Sequence, residues 1–398
     1  MEVDVLIFGG GIAGLWLLDE LRRRGYHALL VEREALGAGQ TIASQGIIHG
    51  GLKYTLSGLM NPSAQSVSEM PQRWRDCLAG RIQPHLVGAR ILSPCCYLWR
   101  TESWRSRLGM LGARVGLHTA VERVVPAARP QALAACLGDV YRVEEPVIDV
   151  ASVLQDLADR HRDEGFFLAA DDTETSWQFV GQGRVESVEL RNEQSRIGIT
   201  LRPRTVIFTA GSGNAALRAA IGLGGDVMQR RPLHMVMVRG VLPPLFGHCI
   251  DGNKTRVTIT SAFDESGRTV WYVGGHVAED GVHMEPTELI AHARQELQAV
   301  LGKVNLRDTE WATHRVDRAE GRQPSGLRPD GPVVRREGST ITAWPTKLAL
   351  APRLVEIIAD SLEPPRATRS DGTSHLLGLW PRPEVAKPPW ELCPSWRS

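Results

Sequence analysis

The sequence predicts an α/β fold that opens with a Rossmann-like βαβ unit. Three observations predict it. Val3-Asp4-Val5-Leu6-Ile7-Phe8 is apolar at almost every position and reads as a strand buried on both faces. It runs straight into the glycine-rich turn Gly9-Gly10-Gly11-Ile12-Ala13-Gly14. A helical stretch then puts Gly14, Leu17, Leu18 and Leu21 on one face, and a second apolar strand, Ala28-Leu29-Leu30-Val31, ends at Glu32.

The other elements follow in order. Arg22, Arg23 and Arg24 load the C-terminal end of the first helix, where cations suit its dipole, and Gly25 stops it. Residues 84–139 show short, broken patterns. A helix is expected over 146–164, with Val153, Leu154 and Leu157 on one face. Residues 166–190 read as strands in a meander, and Arg204 to Phe208 as a strand running into Gly211. From 229 to 279 the chain alternates like a strand, with turn signals at Asp251-Gly252-Asn253 and Asp264-Glu265-Ser266-Gly267. Helices are expected over 286–301 and 346–362. The tail over 366–398 carries Pro381, Pro383, Pro388, Pro389 and Pro394 and is expected to be loosely ordered.

Composition bounds the function. A chain of 398 residues is long enough for two cores. Hydrophobic content of 42% and charged content of 23% are those of a soluble globular protein. A net charge of +1 gives no reason to expect a nucleic-acid partner. Cys77, Cys95, Cys96, Cys136, Cys249 and Cys393 form no C-x-x-C pair, so neither a disulfide framework nor a zinc site is expected. That pattern suits a reducing, cytoplasmic setting. No signal-peptide pattern and no apolar run of membrane-spanning length is visible. Phosphate-loop, nucleophile-elbow and H-E-x-x-H motifs are absent, and the scattered histidines suggest no metal ligands.

Each glycine of Gly9-x-Gly11-x-x-Gly14 has a physical reason. The first permits the tight turn, the second lets a pyrophosphate approach the backbone, and the third lets the helix pack on the strand. The N–H groups of Ile12 and Ala13 then open the helix toward an anion. Glu32 suits the ribose hydroxyls of an adenosine and would repel a 2′-phosphate, which disfavours NADP. FAD and NAD both remain open on these grounds.

The next segment carries a resemblance. Gly37-Ala38-Gly39-Gln40-Thr41-Ile42-Ala43-Ser44-Gln45-Gly46-Ile47-Ile48-His49-Gly50-Gly51-Leu52-Lys53-Tyr54 resembles the second FAD motif of the D-amino-acid oxidase superfamily. Ile48 to Tyr54 resembles the I-H-G-G-L-R-Y run of FAD-dependent glycerol-3-phosphate dehydrogenases, and Gly46 to His49 resembles the 2-hydroxyglutarate dehydrogenase branch. Thr209 to Asn214, Gly326 to Pro332 and Pro345 to Pro352 resemble later superfamily segments. The closing segment departs by lacking the usual run of glycines.

The resemblance implies FAD as cofactor and a Rossmann-like FAD-binding domain that is discontinuous in sequence, over 1–85, 146–225 and 310–365. It implies an α+β substrate domain on an antiparallel sheet, over 86–145 and 226–309. Gly9, Gly11, Ile12, Ala13, Gly14, Glu32, Arg33, Gln40, Thr41, Ser44, Gln45, Gly46, Ile48, His49, Gly50, Gly51, Ala210, Gly211, Thr346, Lys347 and Leu348 are the cofactor candidates. His49 is a candidate base for a hydroxyl proton, or else a group that orients or tethers the cofactor. Arg328, with Arg318 and Arg322 beside it in sequence, is a candidate anion clamp, because a guanidinium fork matches carboxylate or phosphate. Tyr272 is a candidate for lining the substrate chamber. The implied activity is oxidation of a small polar, anionic substrate at a CH–OH bond, a 2-hydroxy acid or polyol phosphate, with quinone or oxygen as acceptor. Oxidation at CH–NH and a non-catalytic flavoprotein are the alternatives. Trp104, Leu108, Leu111 and Val115 form an apolar stripe flanked by Arg105, Arg107 and Arg114. Two readings fit it: a helix on the protein's own core, and a peripheral membrane contact.

Overall fold

The computed structural model describes residues 1–51, 67–101, 121–162, 165–169, 173–193, 196–251, 254–367 and 377–398. Lys53, Tyr54 and the stripe from Trp104 to Val115 lie outside the described residues. Glu2–Phe8 forms β1, Ile12–Arg23 forms α1 and Ala28–Glu32 forms β2. The two strands pair in parallel, with Leu6 opposite Leu29 and Ile7 opposite Leu30. Both are buried along nearly their whole length, which is why neither shows polar alternation.

β1 belongs to an eight-stranded sheet. Its other neighbour is Gly198–Phe208, also parallel, which pairs in parallel with Thr340–Trp344. Phe166–Leu168 lies beyond β2. The hairpin of Thr173–Val180 and Arg184–Asn192 extends from Gly198–Phe208. α1 packs with the helices Val150–Asp159 and Ala351–Asp360, burying Leu15, Leu18, Leu21, Leu154, Leu157, Leu354 and Ile358 in one core. Both later helices are shorter than their apolar patterns suggest. Asp149 caps the first by accepting from the Ser152 N–H at 3.3 Å. Pro352 sits in the first turn of the second, where its missing N–H is not needed.

The second sheet also has eight strands. Their order is Glu310–Gly321, Met228–Gly240, Thr269–Gly274, Lys254–Phe263, Gly247–Asp251, Cys96–Trp99, Val140–Val143 and Val121–Arg123. It is antiparallel except that Gly247–Asp251 pairs in parallel with Cys96–Trp99. Between these two strands the chain passes through the first sheet, so no hairpin fixes their relative direction. Glu310–Gly321 pairs along its length with Met228–Gly240. Residues 310–321, expected in the cofactor-binding part, thus belong to the second sheet. The helix Pro286–Leu301, which matches its expected bounds, packs Leu289, Ala293, Leu297 and Leu301 on one face of the second sheet.

Residues 377–398 of the proline-rich tail are anchored, which corrects the expectation of loose order there. Val385 bridges Leu36, Arg397 bridges Trp311, and the Leu168 N–H donates to the Pro381 carbonyl at 2.8 Å. Trp380 packs on Phe167, while Trp390 and Trp396 pack against the second sheet. Proline removes a backbone donor but leaves tryptophan's apolar area to be buried. Among the described residues, no helix is long and apolar enough to cross a membrane.

Candidate active site

The glycine turn forms a cradle between β1 and α1. A Cβ on Gly14 would lie 1.9 Å from the Gly9 carbonyl oxygen, so the helix sits on the turn at a distance only glycine permits. The N-cap of α1 is Gly11, with no side-chain cap, so the helix N-terminus is left open for an anion. The Ile12 N–H donates to Thr41 Oγ1 at 3.3 Å. Glu32 stands at the mouth, accepting from the Gly10 N–H at 2.5 Å and from the Arg33 and Glu34 N–H groups. The Arg33 side chain is exposed and pairs with Glu34 at 2.7 Å.

The following segment bridges the two sheets. The Gly37 N–H donates to the Gly10 carbonyl, and Gln40 Oε1 accepts from the Ala319 N–H at 2.9 Å. Gln45 Nε2 donates to the carbonyls of Tyr272, at 2.8 Å, and Thr258, at 3.3 Å. Ser44 Oγ is buried with no hydrogen-bond partner among the described residues. Gly46 has φ +68°, and a Cβ there would meet the Ile148 carbonyl oxygen at 2.2 Å. That close approach lets Ile47 bridge Val147 and the Ile48 N–H reach the Pro146 carbonyl. The register carries His49 and Gly50 to Glu145.

Two further stretches complete the cradle. Asn214, fully buried, accepts from the Ala210 N–H at 2.8 Å and donates to the Ala343 carbonyl at 3.2 Å. It thereby holds Ala210 and Gly211 near Gly9. Thr346 takes φ +65°, a left-handed conformation that β-branched residues rarely adopt. Its hydroxyl donates to the Gly331 carbonyl at 2.8 Å, which fixes the turn. Lys347 is buried and Leu348 half-buried beside it.

His49 is mostly buried. Its Nδ1 lies 3.2 Å from Glu145 Oε2, and Glu145 Oε1 accepts from the Gly50 N–H at 2.6 Å. Glu145 is 3% exposed. His248 comes from the second sheet, its ring 5.4 Å from that of His49 and its Nδ1 2.8 Å from Thr258 Oγ1. The ligand-type atoms of His49, Glu145 and His248 gather within 4.8 Å of one another. No metal-ligand spacing shows in the sequence because the three come from distant positions.

The arginine candidates separate. Arg318 is largely buried, with Nη1 3.6 Å from Glu279 Oε1 and Nε donating to the Arg231 carbonyl at 3.1 Å. Burial, then the neighbouring Arg231 charge, pushes its pKa down to about 10, with Arg328 adding to the same effect. It stays cationic at neutral pH, crowded by like charge, and an anion would relieve that crowding. Arg231 Nε lies 3.1 Å from Glu320, a fully buried carboxylate whose oxygens accept no hydrogen bond among the described residues. Arg322 instead ion-pairs with the exposed Asp226. Arg328 is half-buried.

Tyr272, expected to line the substrate chamber, is enclosed. It is 1% exposed, edge-on to Trp390 at 5.8 Å, with its hydroxyl lacking a hydrogen-bond partner among the described residues. Burial raises its pKa, so the phenol stays neutral. A side chain sealed under the C-terminal segment lines no open chamber. Tyr272→Phe is therefore expected to leave FAD content unchanged, with unfolding free energy unchanged or raised by up to about 1 kcal/mol, because an unpaired buried hydroxyl is unfavourable. Chemical denaturation checks this; a marked loss of stability would mean that the hydroxyl has a partner.

Fold and site together define a dinucleotide-binding α/β protein with a second sheet set against its cofactor segment. The chain belongs to the FAD dependent oxidoreductase family, whose model matches residues 4–351. It is 40% identical over 400 residues to a probable FAD-dependent oxidoreductase of Pseudomonas aeruginosa, covering 98% of each chain. An FAD dependent oxidoreductase crystal structure from that organism superposes with TM-score 0.79 at 37% identity, covering 98% of each chain. Glycerol-3-phosphate dehydrogenase 1 of Mycobacterium tuberculosis is 28% identical over 227 residues, 52% of this chain and 42% of that one. The FAD-bound L-alpha-glycerophosphate oxidase of Mycoplasma pneumoniae shares the fold, with TM-score 0.63 at 13% identity, covering 97% of this chain and all of that one. The protein is an FAD-dependent oxidoreductase, and its residues fit the cofactor. α1 begins uncapped at Gly11, Glu32 presents a carboxylate, and Ser44 has a buried hydroxyl free to bond.

Sequence reasoning missed Glu145, His248, Arg231, Glu320 and Asn214. Asn214 had a local signal, since it follows the strand-to-glycine run. The others had none: each reaches the site through strand pairing.

Proposed function

We propose that the protein oxidises a small anionic substrate at a CH–OH bond, a polyol phosphate or 2-hydroxy acid, and passes the electrons to quinone or oxygen. One observation carries this reading: an imidazole, His49, is held by a buried carboxylate beside the cofactor segment, against the sheet that bears Arg318. FAD held there would supply the acceptor for a hydride from the substrate carbon. His49 takes the hydroxyl proton, because imidazole is basic near neutral pH. Arg318, with Arg328 near it, holds the anionic end. Gly11, the N-terminus of α1 and Glu32 hold the dinucleotide. The name of the Mycobacterium relative supports a phosphorylated polyol.

The test is anaerobic bleaching of the holoprotein by hydroxy acids, polyol phosphates and amino acids in parallel. Bleaching by either of the first two classes is expected. Bleaching by amino acids alone would overturn the reading in favour of CH–NH oxidation, where the amine can arrive neutral and His49 is dispensable. With the substrate so found, Arg318→Ala should raise its KM by roughly 10- to 100-fold, the loss expected for a charged bidentate partner, while sparing the flavin spectrum. Arg328→Ala should act in the same direction. Wild-type KM values in both variants would move the clamp elsewhere.

A further inference from the structure

We propose that Glu145 is a positioning residue that sets the tautomer of His49, fixing the proton on Nδ1 and leaving Nε2 as the basic nitrogen. The inference deepens the reading of His49 as the base and takes its purpose from it.

The geometry around the carboxylate carries it. Glu145 follows the strand Val140–Val143 and precedes Val147–Ile148, so both of its flanks are tied into sheets. Its two oxygens divide their work. Oε1 accepts from the Gly50 N–H at 2.6 Å, and Oε2 faces His49 Nδ1 at 3.2 Å. Gly50 follows His49 directly, so one carboxylate holds both the backbone and the ring of the same short segment. An ionised carboxylate can only accept, so the nitrogen facing it must donate. The other ring nitrogen is then left unprotonated and basic. Glu145 is almost wholly buried, and a desolvated carboxylate favours a neighbour able to take up positive charge as His49 does when it receives a proton. His248 lies against His49 from the facing sheet, with its own Nδ1 on Thr258. Glu145 and His248 gather with His49, the ligand-type atoms of the three lying within 4.8 Å of one another.

The two-sided hold makes Glu145→Gln unusually informative. A glutamine amide has one acceptor and one donor end. The Gly50 N–H requires the acceptor, so the amide NH2 turns to His49 Nδ1. His49 must then accept at Nδ1 and carry its proton on Nε2, which removes the basic nitrogen. The size of the side chain is unchanged, so the effect is one of hydrogen-bond polarity. Glu145→Asp keeps an acceptor-only group and should retain the wild-type tautomer at least in part.

The experiment is nitrogen-15 NMR of histidine-labelled holoprotein at a pH where His49 is neutral, with the His49 signals identified by their absence in His49→Gln. Wild type should show His49 protonated on Nδ1. Glu145→Gln should move the major population to Nε2–H with FAD still bound, and Glu145→Asp should restore Nδ1–H. An Nε2–H ring in the wild type, or an unchanged tautomer in Glu145→Gln, would overturn the proposal. So would stoichiometric zinc in the purified wild type that Glu145→Gln loses, since the three side chains would then be metal ligands. The base reading fails separately, through an unchanged flavin reduction rate in His49→Ala, and that result leaves the tautomer measurement standing.

Discussion

Gly11→Leu is expected to give a folded protein that carries no FAD. Gly11 has extended backbone angles, φ −72° and ψ −176°, which any residue adopts. A Cβ there would meet Thr41 Oγ1 at 3.0 Å, with no other heavy atom of the described residues beyond its own stretch of chain within 4 Å. The apoprotein therefore has room for a side chain, but that room is the approach to the N-terminus of α1. A leucine would occupy the place where the pyrophosphate must come close to the backbone. Overpacking of this kind costs about 1–3 kcal/mol or more, roughly a 5- to 150-fold loss of affinity at the least. Flavin absorbance after purification, with circular dichroism as the control for folding, measures the outcome. Gly14 makes the contrast: its Cβ would collide with the Gly9 carbonyl, so Gly14→Leu should disturb the fold itself. A Gly11→Leu protein that retains FAD at full occupancy would show that the dinucleotide does not pass this glycine.

His49→Ala is expected to keep FAD and to lose roughly 100-fold or more in the rate of flavin reduction by a hydroxy substrate. The imidazole is held from one side by Glu145 and flanked by His248 on the other sheet, so no water in an alanine-sized gap would reproduce its basicity and aim. Removing the ring also deprives a buried carboxylate of a partner, a loss of about 1–3 kcal/mol in stability. His49→Gln keeps an N–H for Glu145 but no basic nitrogen. It should be as slow as His49→Ala and more stable, which separates chemistry from folding. Stopped-flow reduction and thermal melting of both variants measure the two effects. Loss of FAD in both would assign His49 to cofactor binding, and an unchanged rate would favour the amine reaction.

The arginines show how far sequence reasoning reaches. Arg318, Arg322 and Arg328 look equivalent in a short run. In the fold, Arg318 lies across from Arg231 in the paired strands and is half-buried there. Arg322 is just past the end of its strand and reaches outward to Asp226. Which arginine is half-buried and which exposed depends on strand register and on where the strand stops, and neither is visible in the residues themselves. The tail errs in the other direction. Its prolines suggested loose order, but Trp380, Trp390 and Trp396 supply apolar contacts with partners far away in the chain.

The sequence by itself determined the βαβ opening, the glycine cradle, the carboxylate at Glu32 and, through its resemblance to a family, the cofactor. These features are local: an apolar run, a turn that only glycine permits and a helical face lie within one stretch of about thirty residues. The tertiary structure alone decided what surrounds His49. Glu145 reaches it because Gly46 lets residues 46–48 pair with 146–148, and His248 because the second sheet packs against the cofactor segment through Gln45. Contacts between residues so far apart in the chain are fixed by pairing register and packing, which nothing in either segment's own sequence encodes.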